Sequence, residues 1–291
     1  MSARESSFTS IADGTQIATT AWTDTADEPR GAVQIAHGLG EHAARYSRFA
    51  RDLNDAGFLA YATDHRGHGR TGQAHLGHFG AAGFDGLIAD VAQYGASLAA
   101  DHPGLPLFLL GHSMGSFASQ AVITEHSDQY AGVVLSGSTA LDMLAAAMAE
   151  APPDAPTGLE AFNVGFEHRT GFEWLSRDTA EVDKYVADPW CGFAVPDETL
   201  PLLFAPAARL ADPVVLAGIR NDLPILIASG SDDPLAGGGD LVQVLGQRYR
   251  DAGNADVTVI VYPGARHEIL NETNRDEVTA GLIHWLDAHV D

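Results

Sequence analysis

The chain has 291 residues, of which 39 are acidic and 16 basic, for a formal net charge of −23 at pH 7. Repulsion of that size works against binding nucleic acid or docking on anionic membranes, and no apolar run reaches the roughly 18 residues of a membrane span. A hydrophobic content of 45% supports a sizeable core, and a single cysteine, Cys191, excludes an intramolecular disulfide but leaves the compartment open; with no apolar signal segment after Met1, a cytoplasmic protein without a signal peptide is the default expectation.

The N-terminal segment reads as a hairpin: Ser7–Ile11, a turn at Asp13-Gly14, then Gln16–Trp22. Ala32–Ala36 is a buried strand that ends in His37-Gly38-Leu39-Gly40-Glu41-His42. Tyr46, Phe49, Ala50 and Leu53 follow at helical spacing, with Gly57 as the stop. Phe58–Thr63 is the next strand and leads into the polar loop Asp64-His65-Arg66-Gly67-His68-Gly69. Phe84, Leu87, Ile88, Val91 and Leu98 mark a long amphipathic helix. A strand at Leu107–Leu110 then runs into Gly111-His112-Ser113-Met114-Gly115, with a helix behind it and the strand Val133–Ser136 beyond that helix.

At this point the alternation breaks. From about Thr139 to Asn221 no clear strand appears, and helical patterns alternate with Pro-rich connections such as 151–156. The rhythm resumes with the strand Pro224–Ser229, a helix over Leu241–Asp251, the strand Val257–Val261 and a last helix through Trp285. Strands alternating with helices predict an α/β fold, with a doubly wound, mostly parallel eight-stranded sheet. The interruption predicts an inserted, mainly helical cap at 139–221, between core segments 1–138 and 222–291. The cap holds Met143, Phe162, Phe166, Phe172, Trp174 and Trp190, suited to an acyl chain where they do not form the cap's own core.

Gly111–Gly115 has the nucleophile-elbow pattern Gly-x-Ser-x-Gly in the context it needs, strand before and helix after. The near match Gly95-Ala96-Ser97-Leu98-Ala99 falls inside the amphipathic helical pattern and reads as structural. A serine hydroxyl needs a base to take its proton. His267, after Tyr262-Pro263-Gly264 at the last strand's end, is the best placed of the 13 histidines. The acid should leave the preceding strand, where Asp232 and Asp233 stand side by side. The order Ser, Asp, His then follows the α/β-hydrolase arrangement. An oxyanion needs preorganised donors. The backbone N–H of Met114 is one, and that of Leu39, between Gly38 and Gly40, is the other. His65, His68, His75 and His78 beside Asp64 offer a rival, metal-binding reading, but the glycines among them make the segment a loop rather than a ligand-bearing helix.

Four segments together resemble the monoacylglycerol lipase and lysophospholipase branch of the α/β-hydrolases, grouped with the serine aminopeptidase S33-like hydrolases. They are His37–His42 with Arg45-Tyr46, Asp64–Gly69, Gly111–Gly115, and Gly230–Asp233 with Tyr262–Gly264 and His267-Glu268. The resemblance implies a Ser113–Asp233–His267 triad, since the fourth residue of Gly-x-x-Asp is the acid, and oxyanion donors at Leu39 and Met114. It also implies that Glu41 and Arg45 hold the polar head of the substrate, although four-residue spacing equally suits a plain ion pair. Some members carry a second histidine three residues after the catalytic one, where this chain has Leu270. No cofactor and no metal are implied. The expected substrate is a small-molecule, neutral, single-chain lipid ester, met at most by transient contact of the cap with lipid surfaces. Lysophospholipase and general short-chain esterase activity are the alternatives, ahead of aminopeptidase, acyltransferase or metal-dependent hydrolase chemistry.

Overall fold

A computed structural model describes residues 3–150, 152, 156 and 158–290; most of the Pro-rich connection expected at 151–156 lies outside the described residues. Eight strands form one sheet: β1 (Arg4–Thr9), β2 (Gln16–Trp22), β3 (Gly31–Ala36), β4 (Phe58–Thr63), β5 (Leu107–His112), β6 (Gly132–Ser136), β7 (Ile225–Gly230) and β8 (Val257–Tyr262). Their spatial order is β1-β2-β4-β3-β5-β6-β7-β8. The hairpin strands β1 and β2 run antiparallel to their neighbours and the other pairings are parallel.

The central strands are apolar at nearly every position because both faces are covered. Successive side chains alternate between two layers. Leu107 and Leu109 join Val133, Leu135, Ile225 and Ile227 on one face. Phe108 and Leu110 join Val134, Leu226 and Ala228 on the other. The first face receives helices Gly83–Asp101, Met114–His126 and Asp240–Asp251, and the second receives Ser47–Asp55 and Arg275–Asp287. Met114–His126, at the middle of the first layer, is buried from Met114 to Thr124. Ser97 of the second serine motif lies in Gly83–Asp101 and turns its hydroxyl back to the Gln93 carbonyl at 3.1 Å, as a structural residue does.

The hairpin departs from the expected register. β1 ends at Thr9, and Ile11, read as its last residue, is 79% exposed. Turn chemistry outweighs the apolar side chain: Ser10 accepts the Gly14 N–H at 2.9 Å through its carbonyl and the Ala12 N–H at 3.2 Å through its hydroxyl. Arg66 fastens this turn to the core, reaching Asp90 at 2.6 Å, Asp13 at 2.6 Å and Ser10 at 2.7 Å with its side chain 1% exposed.

Between β6 and β7 the chain forms helices Leu141–Ala149, Thr179–Ala187 and Thr199–Phe204 with shorter turns, and no strand among the described residues. Leu144, Leu159, Phe172, Trp174, Leu175, Val182, Tyr185 and Leu203 from this stretch are buried in the same apolar cluster as the first face of the sheet. This stretch and the sheet therefore share one continuous apolar body. No helix among the described residues is long and apolar enough to cross a membrane.

Removing Arg66 would leave Asp90, 3% exposed at its side chain, as an uncompensated buried charge. Arg66→Ala is therefore expected to lower stability in denaturant unfolding by about 3–5 kcal/mol. A loss below about 1 kcal/mol would show that the hairpin clamp is dispensable.

Candidate active site

The site is assembled at the carboxyl ends of β3, β5, β7 and β8, where loops leave a parallel sheet. β5 hands directly to helix Met114–His126 through Ser113, whose φ of 52° makes it the one non-glycine residue with positive φ among those described. An L-residue held there is strained by about 1–3 kcal/mol, so the surroundings must hold it. They do. The Ser113 N–H donates to the Ser136 carbonyl at 2.9 Å, and its own carbonyl takes the N–H groups of Ser116 and Phe117 at 2.7 and 3.1 Å. The turn also needs Gly115: a Cβ there would lie 2.0 Å from the Ala36 carbonyl oxygen at the end of β3.

That closeness draws the loop after β3 beside the serine, and a Cβ on Gly38 would sit 3.2 Å from the Ser113 Cβ. Around Leu39 the backbone donors are divided. The Gly38 N–H goes to the Glu41 carboxylate at 2.6 Å and the Gly40 N–H to His68 Nε2 at 3.1 Å. The Leu39 N–H between them finds no acceptor among the described residues. The Met114 N–H, at the free amino end of a helix, is in the same condition.

Two neutral histidines brace this loop. His37 donates from Nδ1 to the Gly38 carbonyl at 2.8 Å and accepts the His65 N–H at Nε2 at 3.0 Å. His68 likewise donates from Nδ1 to the Arg66 carbonyl at 2.7 Å. One nitrogen donating and the other accepting is the pattern of the uncharged ring. Burial pulls both basicities down, that of His68 to about 3. Asp64 ties the loop back by accepting from the Ala43 N–H at 2.9 Å and Arg70 at 2.7 Å. The four loop histidines of the rival metal reading do not converge. His65 and His68 face His37, while His75 and His78 are exposed, with ring centres 6.4 Å apart.

The β7 and β8 exits bring the acid and the histidine together. His267 Nδ1 lies 2.9 Å from Asp233 Oδ2, and both side chains are at most 2% exposed. Asp233 is itself held by the Ser229 hydroxyl at 3.1 Å and the Leu235 N–H at 2.9 Å. Its neighbour Asp232 is exposed and has the Ser231 hydroxyl at 3.0 Å. The His267 ring lies 4.7 Å from that of His112, the residue before Ser113, and 4.8 Å from Trp174 of the stretch between β6 and β7. Burial disfavours the imidazolium, but the charge and hydrogen bond of Asp233, with Glu268 and Glu41 beyond, more than offset it, and the basicity of His267 is raised. His112, without such a bond, is driven down to about 4 by burial and by the His267 charge.

Glu41 and Arg45 join these loops. Arg45 reaches Glu41 at 2.7 Å and forks onto Glu268, next to His267, at 2.5 and 2.7 Å, while Glu41 also receives the Tyr46 hydroxyl at 2.8 Å. The guanidinium lies 4.9 Å over the ring of Tyr185 from helix Thr179–Ala187. The sequence pattern pairs Glu41 with Arg45 but gives no sign of Glu268 as the third partner. It also misses Trp174, whose carbonyl takes the His267 N–H at 3.3 Å; nothing distinguished this tryptophan from other apolar cap residues. Leu270, where some relatives place a second histidine, is buried and its carbonyl accepts from Arg48.

A raised basicity means that protonated His267 stabilises the fold below the unfolded pKa, a contribution lost as pH rises through the folded value. Titrating the ring by NMR should give a midpoint above 6.5 in the native chain and in Asp232→Asn. In Asp233→Asn it should fall below the native value, because burial is then opposed only by the more distant charges of Glu268 and Glu41. Equal midpoints in the two variants would contradict the pairing.

Residues 27–274 match the family model described as "Serine aminopeptidase, S33". The monoacylglycerol lipase of Mycolicibacterium smegmatis is 32% identical over 98% of this chain and 98% of its own. The human monoglyceride lipase is 31% identical over 96% of this chain and 88% of its own. Among solved structures, a thermostable carboxyl esterase from Bacillus coagulans in complex with glycerol superposes with a TM-score of 0.86 at 28% identity, covering all of both chains. The fold, the motifs and these likenesses agree, and the chain belongs to the S33 family of α/β-hydrolases, in its monoacylglycerol lipase-like branch.

Proposed function

We propose that this ester hydrolase cleaves monoacylglycerols through a Ser113–His267–Asp233 triad and an acyl-enzyme, with the Leu39 and Met114 N–H groups as the oxyanion hole. Ser113 Oγ attacks the ester carbonyl carbon while its proton passes to His267 Nε2, the nitrogen left free by the Asp233 bond. The carbonyl oxygen becomes an alkoxide that accepts from the two backbone donors. Collapse expels the glycerol oxygen, which takes the proton from His267, and leaves the acyl group on Ser113. Water then repeats the sequence, giving its proton to His267 and releasing the fatty acid and free Ser113. A single observation supports this reading: the strained Ser113 is followed in the chain by the uncommitted Met114 N–H, and the ring of its other neighbour, His112, lies 4.7 Å from that of His267, a buried histidine of raised basicity.

In this proposal Glu41 and Arg45 hold the oxyanion loop and the histidine loop in register, since their polar atoms are committed within the fold. Contact with the substrate head would require one of those bonds to exchange. The preference for a neutral head rests on the −23 charge, which repels phosphate, and on the names of the relatives. The preference for one acyl chain rests on the apolar cap laid over the site, and 139–221 is proposed as that cap.

A panel of monoacylglycerols, lysophospholipids, triacylglycerols and aminoacyl amides tests the assignment. Monoacylglycerols should be cleaved best, lysophospholipids less well and triacylglycerols poorly. Ser113→Ala should lower turnover by about four to six orders of magnitude. Preferential cleavage of the amides, or turnover in Ser113→Ala within tenfold of the native value, would overturn it.

A further inference from the structure

Next to the oxyanion loop, and outside the proposed triad, lies a cluster that ester hydrolysis does not use. His42, from the core loop, points Nε2 at Asp188 Oδ2 of the cap at 2.9 Å. Cys191, three residues further along the cap, completes the group, and the three potential ligand atoms lie within 4.8 Å of one another. Imidazole, carboxylate and thiol form a donor set suited to zinc. Bound to one tetrahedral ion at about 2.0–2.3 Å, such donors stand roughly 3.3–3.7 Å apart, so side-chain adjustment alone would close the group.

The backbone presents the two cap ligands together. The Cys191 N–H donates to the Asp188 carbonyl at 3.0 Å and the Trp190 N–H to the Asp188 carboxylate at 2.9 Å, forming a tight turn over Asp-Pro-Trp-Cys. The Trp190 ring meets His42 edge-on at 5.4 Å. His42 and Cys191 are buried, whereas the Asp188 side chain is 33% exposed beside a solvent-open hollow lined by Arg45, Arg48, Glu181, Lys184 and Asn271, which supplies an entry path. Burial holds the proton on the Cys191 thiol, as do the charges of Asp188, Glu41 and Glu268, with Arg45 opposing them, so a metal ligated here must displace that proton.

We propose that His42, Asp188 and Cys191 form a site for a thiophilic divalent cation such as zinc, whose binding clamps the cap to the oxyanion loop and slows turnover reversibly. On binding, the His42–Asp188 hydrogen bond gives way to two metal bonds, and the Cys191 thiol releases its proton to solvent and ligates as thiolate. One thiolate and one carboxylate neutralise the ion, and water fills the fourth position. The clamp follows from connectivity. His42 stands two residues after Gly40, whose carbonyl takes the N–H of Gly192, next after Cys191, at 3.0 Å, so core and cap already touch beside the ligands.

The binding half of the proposal is independent of the substrate assignment and is read by spectroscopy. Chelator-treated protein is titrated with cobalt(II) and then zinc. One equivalent of cobalt should give a near-ultraviolet sulfur-to-cobalt charge-transfer band with tetrahedral d–d absorption, abolished by zinc. Cys191→Ser should lose the band, Asp188→Asn should weaken it, and each should bind zinc at least about tenfold more weakly. The same samples are assayed with a chromogenic ester. Zinc should inhibit the native enzyme reversibly by chelator, while Cys191→Ser, with native metal-free turnover, should resist. Absence of the charge-transfer band in the native protein overturns the site, whether or not either variant folds. A normal band with uninhibited turnover, or equal inhibition of native and Cys191→Ser enzyme, overturns the clamp. Absence of ester turnover in the metal-free native enzyme instead counts against the proposed function.

Discussion

The contact between Gly115 and the Ala36 carbonyl is the constraint on which the site depends. With room for no more than a hydrogen on the Gly115 Cα, the start of the buried helix is pressed onto the end of β3. At the same turn Ser113 is held at φ 52°, and the β3 loop lies beside it. The strain is held because the neighbours are over-determined: β5 is paired on both sides, with β3 and β6, and the Ser113 N–H bonds the end of β6. On the proposed function, the two uncommitted donors, one on the loop and one on the helix, are thereby held in place before any substrate arrives.

Electrostatics extends this geometry to the histidine. Buried imidazoles default to the neutral state, as His37, His65, His68 and His112 all do here. His267 departs from them, and the difference lies in its partners rather than its burial: Asp233 bonds it directly, and Glu268 and Glu41 add their charges. Arg45 keeps those two carboxylates from repelling each other while tying the loop before His267's neighbour to the loop of Leu39. On the proposed function, nucleophile, base and oxyanion donors are thus held by one buried ion network and one steric contact. Tyr185 and Trp174, from the stretch between β6 and β7, contact the same network, over Arg45 and against His267.

Much of this was legible in the residues. Alternation of apolar strands and amphipathic helices is a local pattern, and it gave the eight strands and the interruption that carries the helices of 139–221. The elbow was legible because Gly-x-Ser-x-Gly is a steric requirement written in consecutive residues. The first strand's end was misplaced because Ile11 has strand character, while the Ser10 turn that overrides it depends on a hydroxyl and a carbonyl acting together. Partnerships across the sheet left no local trace. Glu268 with Arg45 spans 223 residues and His42 with Asp188 spans 146, and neither spacing has a periodicity to read. Asp232 and Asp233 differ in orientation alone, which adjacency in sequence does not encode; the resemblance, not the residues, separated them.

The central claim is that Ser113 carries the acyl group. Mixing the enzyme with a slowly turned-over nitrophenyl acyl ester, quenching in acid and mapping the peptides by mass spectrometry tests it most directly. A stoichiometric acyl mass on the peptide containing Ser113, formed with the burst of nitrophenol and accumulating when deacylation is slow, is the expected result. Acylation confined to another residue, or a full burst with Ser113 unmodified, would contradict it.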